Sequence, residues 1–149
     1  MSGDSQYPEK LREILETFDA IKDMDERSSL LIDFAEGFKP VPPTIAPRPY
    51  PESHRVPYCE SEAYVWGTPR PDGTLTFYFA VENPSGVSAR ALAAILAKTV
   101  SGAPLQQVAA IGPEIVERLF RQNISMGKGM GLGAMVRMVQ ALAAAQQVP

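Results

Sequence analysis

Three features of this 149-residue sequence predict an α+β fold, with a small antiparallel sheet built from one hairpin and packed against several helices. Apolar residues recur at helical spacing through the first 39 residues, two strand-like runs flank an Asp-Gly turn in the middle, and helix-forming sequence fills the remainder. Helices grouped before and after a hairpin argue against a parallel βαβ sheet.

From Pro8, the residues Leu11, Ile14, Leu15, Phe18 and Ile21 lie on one face of a first helix, with Pro8 suited to its first position. After Asp25, the residues Leu30, Leu31, Phe34, Ala35 and Phe38 mark a second helix that ends near Gly37, before Pro40. Residues 1–39 carry ten Asp or Glu against five Lys or Arg, read as a solvated helix face. Residues 40–57 hold seven of the fourteen prolines, so they are expected to form an extended surface connection. Ala63-Tyr64-Val65-Trp66 and Thr74 to Val81 read as two strands around the turn Thr68 to Gly73. Leu75, Phe77, Phe79 and Val81 alternate with polar or smaller positions, so one sheet face should pack on helices, and no third layer is required.

The segment Glu82-Asn83-Pro84-Ser85-Gly86 breaks the second strand. A third helix from Ser88, through Leu92, Ile95, Leu96, Thr99 and Val100, closes at Gly102. Pro104 and Pro113 each suit the start of a short helix, the second burying Ile115, Val116, Leu119 and Phe120. A last helix is expected from Leu132 to about Ala145, with Gly127, Gly129, Gly131 and Gly133 as a flexible lead-in.

The length predicts one domain over residues 1–149, and 45% hydrophobic with 21% charged residues suffices for a core. A net charge of −3 lacks the basic excess that displaces counterions from phosphates, which argues against nucleic acid as a partner. The longest unbroken apolar run, Ala91 to Ala97, is far shorter than the roughly 20 residues a membrane span needs. The first six residues show neither a basic region nor an apolar stretch, so a cytoplasmic location is expected. One cysteine and one histidine exclude an internal disulfide and multi-Cys or multi-His metal sites, so no such metal centre is expected.

Chemistry is left to Cys59, His54 and scattered carboxylates. Two readings of Cys59 stand: a small core residue, or an accessible thiol on a turn beside Pro57. The charges of His54 and Arg55 before it and Glu60 and Glu62 after it oppose one another. His54 reads as an exposed loop residue or as the partner of Cys59 in a hydrolase, though no third orienting group is recognisable. The glycine series lacks a phosphate-binding pattern. Met126, Met130, Met135 and Met138 are either core or an adaptable partner surface. From Arg118 onward, Arg118, Arg121, Lys128 and Arg137 face no acidic residue in the same segment. They either attract the acidic first helices or form a basic rim around a docking surface.

The order of these features resembles the SufE-type sulfur-acceptor family (SufE and CsdE-like proteins) over nearly the whole chain. His54-Arg55-Val56-Pro57-Tyr58-Cys59-Glu60-Ser61 before a strand resembles the family's acceptor motif, roughly V-P-G-C-Q-S. The stretch Lys128 with Gly131-Leu132 and Ala134-Met135 resembles its late S-R-x-x-G-L-x-A-M motif. The resemblance implies a sulfur carrier, with no metal or cofactor of its own, in which Cys59 receives persulfide sulfur from a pyridoxal-phosphate cysteine desulfurase (SufS- or CsdA-like) and passes it to an iron–sulfur scaffold. His54, Arg55 and Lys128 are then candidates for loop or partner contacts. The alternative is an interaction module or desulfurase regulator with a structural Cys59. Tyr58 stands where the family has glycine, Glu60 where it has an amide, Tyr64 where it has Trp, and Lys128 where it has Arg. Because a persulfide is readily reduced, Cys59 is expected to be shielded in the free protein and to swing outward on docking.

Overall fold

A computed structural model describes residues 3–121 and 124–147. After a short 3₁₀ turn, helices α1 (Glu9–Ala20) and α2 (Met24–Glu36) lead to the proline-rich segment, which contains a second 3₁₀ turn, Glu52–His54. Strands β1 (Ala63–Pro69) and β2 (Leu75–Val81) follow, then α3 (Val87–Val100), α4 (Leu105–Ala109), α5 (Glu114–Phe120) and α6 (Met126–Gln147). This is the α+β arrangement that the sequence predicts.

Pro8 immediately precedes α1, and Asp23 caps α2 by accepting a hydrogen bond from the Asp25 backbone N–H at 3.4 Å. Pro104 and Pro113 precede α4 and α5 as expected. Two boundaries differ from expectation. Strand β1 runs three residues past Trp66, carried by cross-strand pairing of Gly67, Thr68 and Pro69 with Phe77, Thr76 and Leu75. Helix α6 starts at Met126, six residues before Leu132, so Gly127, Gly129, Gly131 and Gly133 lie inside the helix. Each glycine weakens a helix by about 1 kcal/mol relative to alanine; packing of the buried stretch Gly131 to Val136 outweighs that propensity.

One face of the hairpin buries Val65, Leu75, Phe77 and Phe79 in the main core together with α1, α3, α5 and α6. Full burial of each of these phenylalanines contributes about 2 kcal/mol. The opposite face is covered as well, which corrects the two-layer expectation. Val41 and Ala46 of the proline-rich segment are buried against Tyr64, Trp66 and Ala80, with Tyr50 packed beside them. The segment is thus a strap forming a third layer, because the aromatic side chains on that face need cover. It is fastened by an Arg48–Glu82 ion pair with two parallel hydrogen bonds of 2.8 and 2.9 Å.

Both outer margins of the two-stranded sheet are engaged. Along β1, Arg55 bridges to Tyr64, and the Val56 N–H donates to the Ala63 carbonyl at 2.8 Å. Along β2, the Val41 N–H donates to the Phe79 carbonyl, the Gly102 N–H to the Leu75 carbonyl, and the Phe77 N–H to Ser101 Oγ.

The helical side holds a buried charge. Arg27, 2% exposed, donates to the carbonyls of Phe18 and Ile21 at the end of α1 and to those of Arg118 and Leu119 in α5. Burial draws its pKa below the usual arginine value, with the nearby charge of Arg121 adding to the effect and Asp19 opposing it. Asp19 pairs with Arg118 at 2.6 Å and Arg121 at 3.4 Å. For these two basic residues, attraction to the acidic first helix is the arrangement found.

Candidate functional site

Cys59 lies on the turn between the strap and β1, partly buried and packed against the main core. It is therefore neither a fully enclosed core residue nor an open loop tip. The residue before it, Tyr58, is 73% exposed. The turn reverses the chain tightly: the Glu62 N–H donates to the Cys59 carbonyl at 3.3 Å. Tyr58 and Glu62 take positive φ values of 61° and 54°. For an L-residue with a side chain this left-handed conformation costs roughly 1 kcal/mol, which glycine avoids. Tyr58, standing where the resemblance has glycine, keeps the glycine-type backbone.

Two elements hold the turn from opposite sides. The segment after β2 grips one side: Glu82 and Asn83 N–H groups donate to the Glu62 and Ser61 carbonyls at 3.1 Å each, and Asn83 Nδ2 donates to the Glu60 carbonyl at 3.4 Å. Arg90 of α3 steadies that segment by donating to the carbonyls of Asn83 and Pro84. Helix α6 supports the other side, where the backbone of Cys59 rests against Gly131.

Next to the turn runs an open groove of about 410 Å³ between Pro57, Tyr58 and α6, floored by Gly133 and Ala134 and flanked by Met130 and Arg137. Met126 and Met130 are 87% and 55% exposed, while Met135 is fully buried, so the methionine series divides between surface and core. The exposed, polarizable Met130 beside the exposed Tyr58 suits an adaptable contact surface.

The predicted site residues are not all gathered at the thiol. Lys128 is exposed in the first turn of α6, three residues before Gly131, and its backbone N–H donates to Ser125 Oγ at 3.2 Å. His54 is not the exposed loop residue expected. Its Nδ1 lies 2.9 Å from the Val65 carbonyl and its ring stacks on Trp66 with centroids 5.3 Å apart. These contacts commit His54 to the strap side of the sheet, and the hydrolase pairing with Cys59 gains no support from them. Arg55 bridges to β1 through its backbone and lies 3.6 Å from Glu52. Among the described residues, no cluster of three or more His, Cys, Asp or Glu is placed to hold a metal ion. No helix among them is long and apolar enough to cross a membrane.

Sequence reasoning misses the contact of Gly131 with Cys59 and the grip of Asn83 on Glu60. The alternating glycines are the available signal for the first; the second carries no local pattern, since it joins residues 23 positions apart.

A family model described as SufE: Fe-S metabolism associated domain matches residues 12–143. No curated protein matches the chain. Among solved structures, the solution structure of a hypothetical protein from Thermus thermophilus is similar, with a TM-score of 0.76 and 23% identity. The match covers 96% of this chain and 99% of that one. At this identity the likeness concerns the fold.

Proposed function

Because the chain belongs to the SufE family, and with it to Fe–S metabolism, we propose that it is a sulfur carrier, acting as one SufE-like unit in the cytoplasm, with Cys59 as the acceptor. The observation that carries this reading is the position of the chain's only cysteine, on the turn before β1 and beside an apolar groove.

The donor is a cysteine persulfide on a pyridoxal-phosphate cysteine desulfurase; the cofactor belongs to that partner. Cys59 gives up its thiol proton, and the thiolate attacks the outer sulfur of the persulfide. A new S–S bond forms at Cys59 while the donor's S–S bond breaks, and the donor cysteine departs as a thiolate. There is no net oxidation or reduction. The same exchange, run toward an acceptor on an iron–sulfur scaffold, returns Cys59 to the thiol. Tyr58, Met130 and Lys128 offer apolar and cationic contacts for the docked partner, and the partial burial of Cys59 limits access of small reductants between transfers.

Intact mass spectrometry after incubation with cysteine and a desulfurase tests the reading. The wild-type chain is expected to gain one sulfur, about 32 Da, and Cys59→Ser to gain none. An unlabelled wild type, or a Cys59→Ser variant that still supports sulfur delivery, supports instead an interaction module in which Cys59 is structural.

A further inference from the structure

We infer that Gly131 is a positioning residue for Cys59: its missing side chain is the seat on which the cysteine's backbone rests, and this contact keeps the thiol partly buried. The inference deepens the sulfur-carrier reading and rests on it for its functional meaning.

The four alternating glycines of α6 differ in what surrounds them. A Cβ at Gly127 would meet nothing within 4 Å, at Gly129 only the Ile124 side chain at 3.7 Å, and at Gly133 the Pro113 side chain at 3.5 Å. At Gly131 the same atom would lie 2.9 Å from Cys59 Cα, 2.9 Å from the Tyr58 carbonyl oxygen and 3.2 Å from Cys59 Cβ. The two closest neighbours are main-chain atoms, which cannot rotate away as a side chain can. Gly131 opens the buried stretch Gly131 to Val136, which fixes this part of α6 against the core, so the turn is the part that must give. That turn already carries two side-chain-bearing residues at positive φ, and its other side is clamped by Asn83. A methyl group at position 131 therefore displaces Cys59 from α6 and exposes its thiol, whereas the same change at position 127 adds only helix propensity.

The test is the alkylation rate of Cys59 by iodoacetamide under native conditions, measured beside global stability in urea. Gly131→Ala is expected to react roughly tenfold faster than wild type, with Gly127→Ala unchanged. A folded Gly131→Ala that reacts at the wild-type rate or slower overturns the inference, as does an acceleration no larger than its unfolded fraction accounts for. Should Gly131→Ala not fold, nuclear Overhauser contacts between the α-protons of Gly131 and Cys59 in the wild-type protein decide: their presence supports the seat and their absence overturns it. Faster alkylation of Gly131→Ala combined with no sulfur loading of wild type retains the seat and removes the carrier reading.

Discussion

Where α1, α2 and α5 meet, the Arg27 guanidinium donates four hydrogen bonds to main-chain carbonyls, whereas the turn carrying Cys59 is held by main-chain hydrogen bonds and by close contact with a glycine. The first region joins three elements through one buried charge, whose removal leaves carbonyls that water cannot easily reach. In the second, unfavourable backbone angles at Tyr58 and Glu62 are stabilised only by their surroundings. The contrast separates a joint fixed by one buried charge from one in which the partly buried Cys59 sits on a turn with two positive φ angles. Stability and reactivity should therefore respond to different substitutions.

The largest effect is expected at Arg27. Arg27→Met keeps length and apolar contact but removes the guanidinium donor from the carbonyls of Ile21, Arg118 and Leu119 and leaves that of Phe18 with the Ile21 N–H alone, and should lower the unfolding free energy by about 3–4 kcal/mol. Urea denaturation measures it, and sulfur loading per folded molecule should stay at the wild-type level. A loss below about 1 kcal/mol, the size of an ordinary hydrogen bond, would erase the proposed difference between the two regions. At the turn, Tyr58→Gly should behave oppositely. Relief of the positive φ, reduced by the greater freedom of glycine in the unfolded chain, leaves a gain of about 0.5 kcal/mol. A clear loss in the same assay would show that Tyr58 is not strained.

The smallest effect belongs to the strap. Hydrogen bonding from Arg48 holds the Glu82 carboxyl below its usual pKa, with burial opposing. A depressed carboxylate pKa contributes stability that is complete above the unfolded value, near 4.5, and is lost as pH falls through the lower folded value. Glu82→Gln should therefore lower the melting temperature by only about 1 °C at pH 7. The gap from wild type should close as pH is lowered below 4.5, the ordinary value for this carboxyl. A gap that widens in acid would overturn the assignment of this pair as the strap's fastening.

How far the sequence anticipates this architecture depends on periodicity. Helices α1, α2 and α3 and the hairpin follow from apolar spacing, since each sets a periodic run of apolar residues against the main core. The start of α6 is hidden because glycine content suggests weak helix, and only the packed surface around Gly131 to Val136 overrides that preference. The strap's covering role is hidden because prolines remove any period, although buried Val41 and Ala46 lie within it. Arg27 carries a readable signal: it stands four and eight residues before Leu31 and Ala35, on the buried stripe of α2, where a charge signals a buried partner. For the site, Cys59 is visible as the only thiol, and family resemblance supplies its proposed role. The place of His54 is not legible, because stacking on Trp66 depends on strap and strand meeting in space.

The engaged margins of the two-stranded sheet have a bearing on how the protein survives crowding. A bare strand edge invites pairing with another chain and growth into fibres. Here residues 55–56 occupy the start of one edge, and Val41, Ser101 and Gly102 occupy the other, so the ladder open to a neighbour is shortened on both sides of the hairpin. Apolar surface can thus lie beside Cys59 with less of the sheet edge available as a template for self-association.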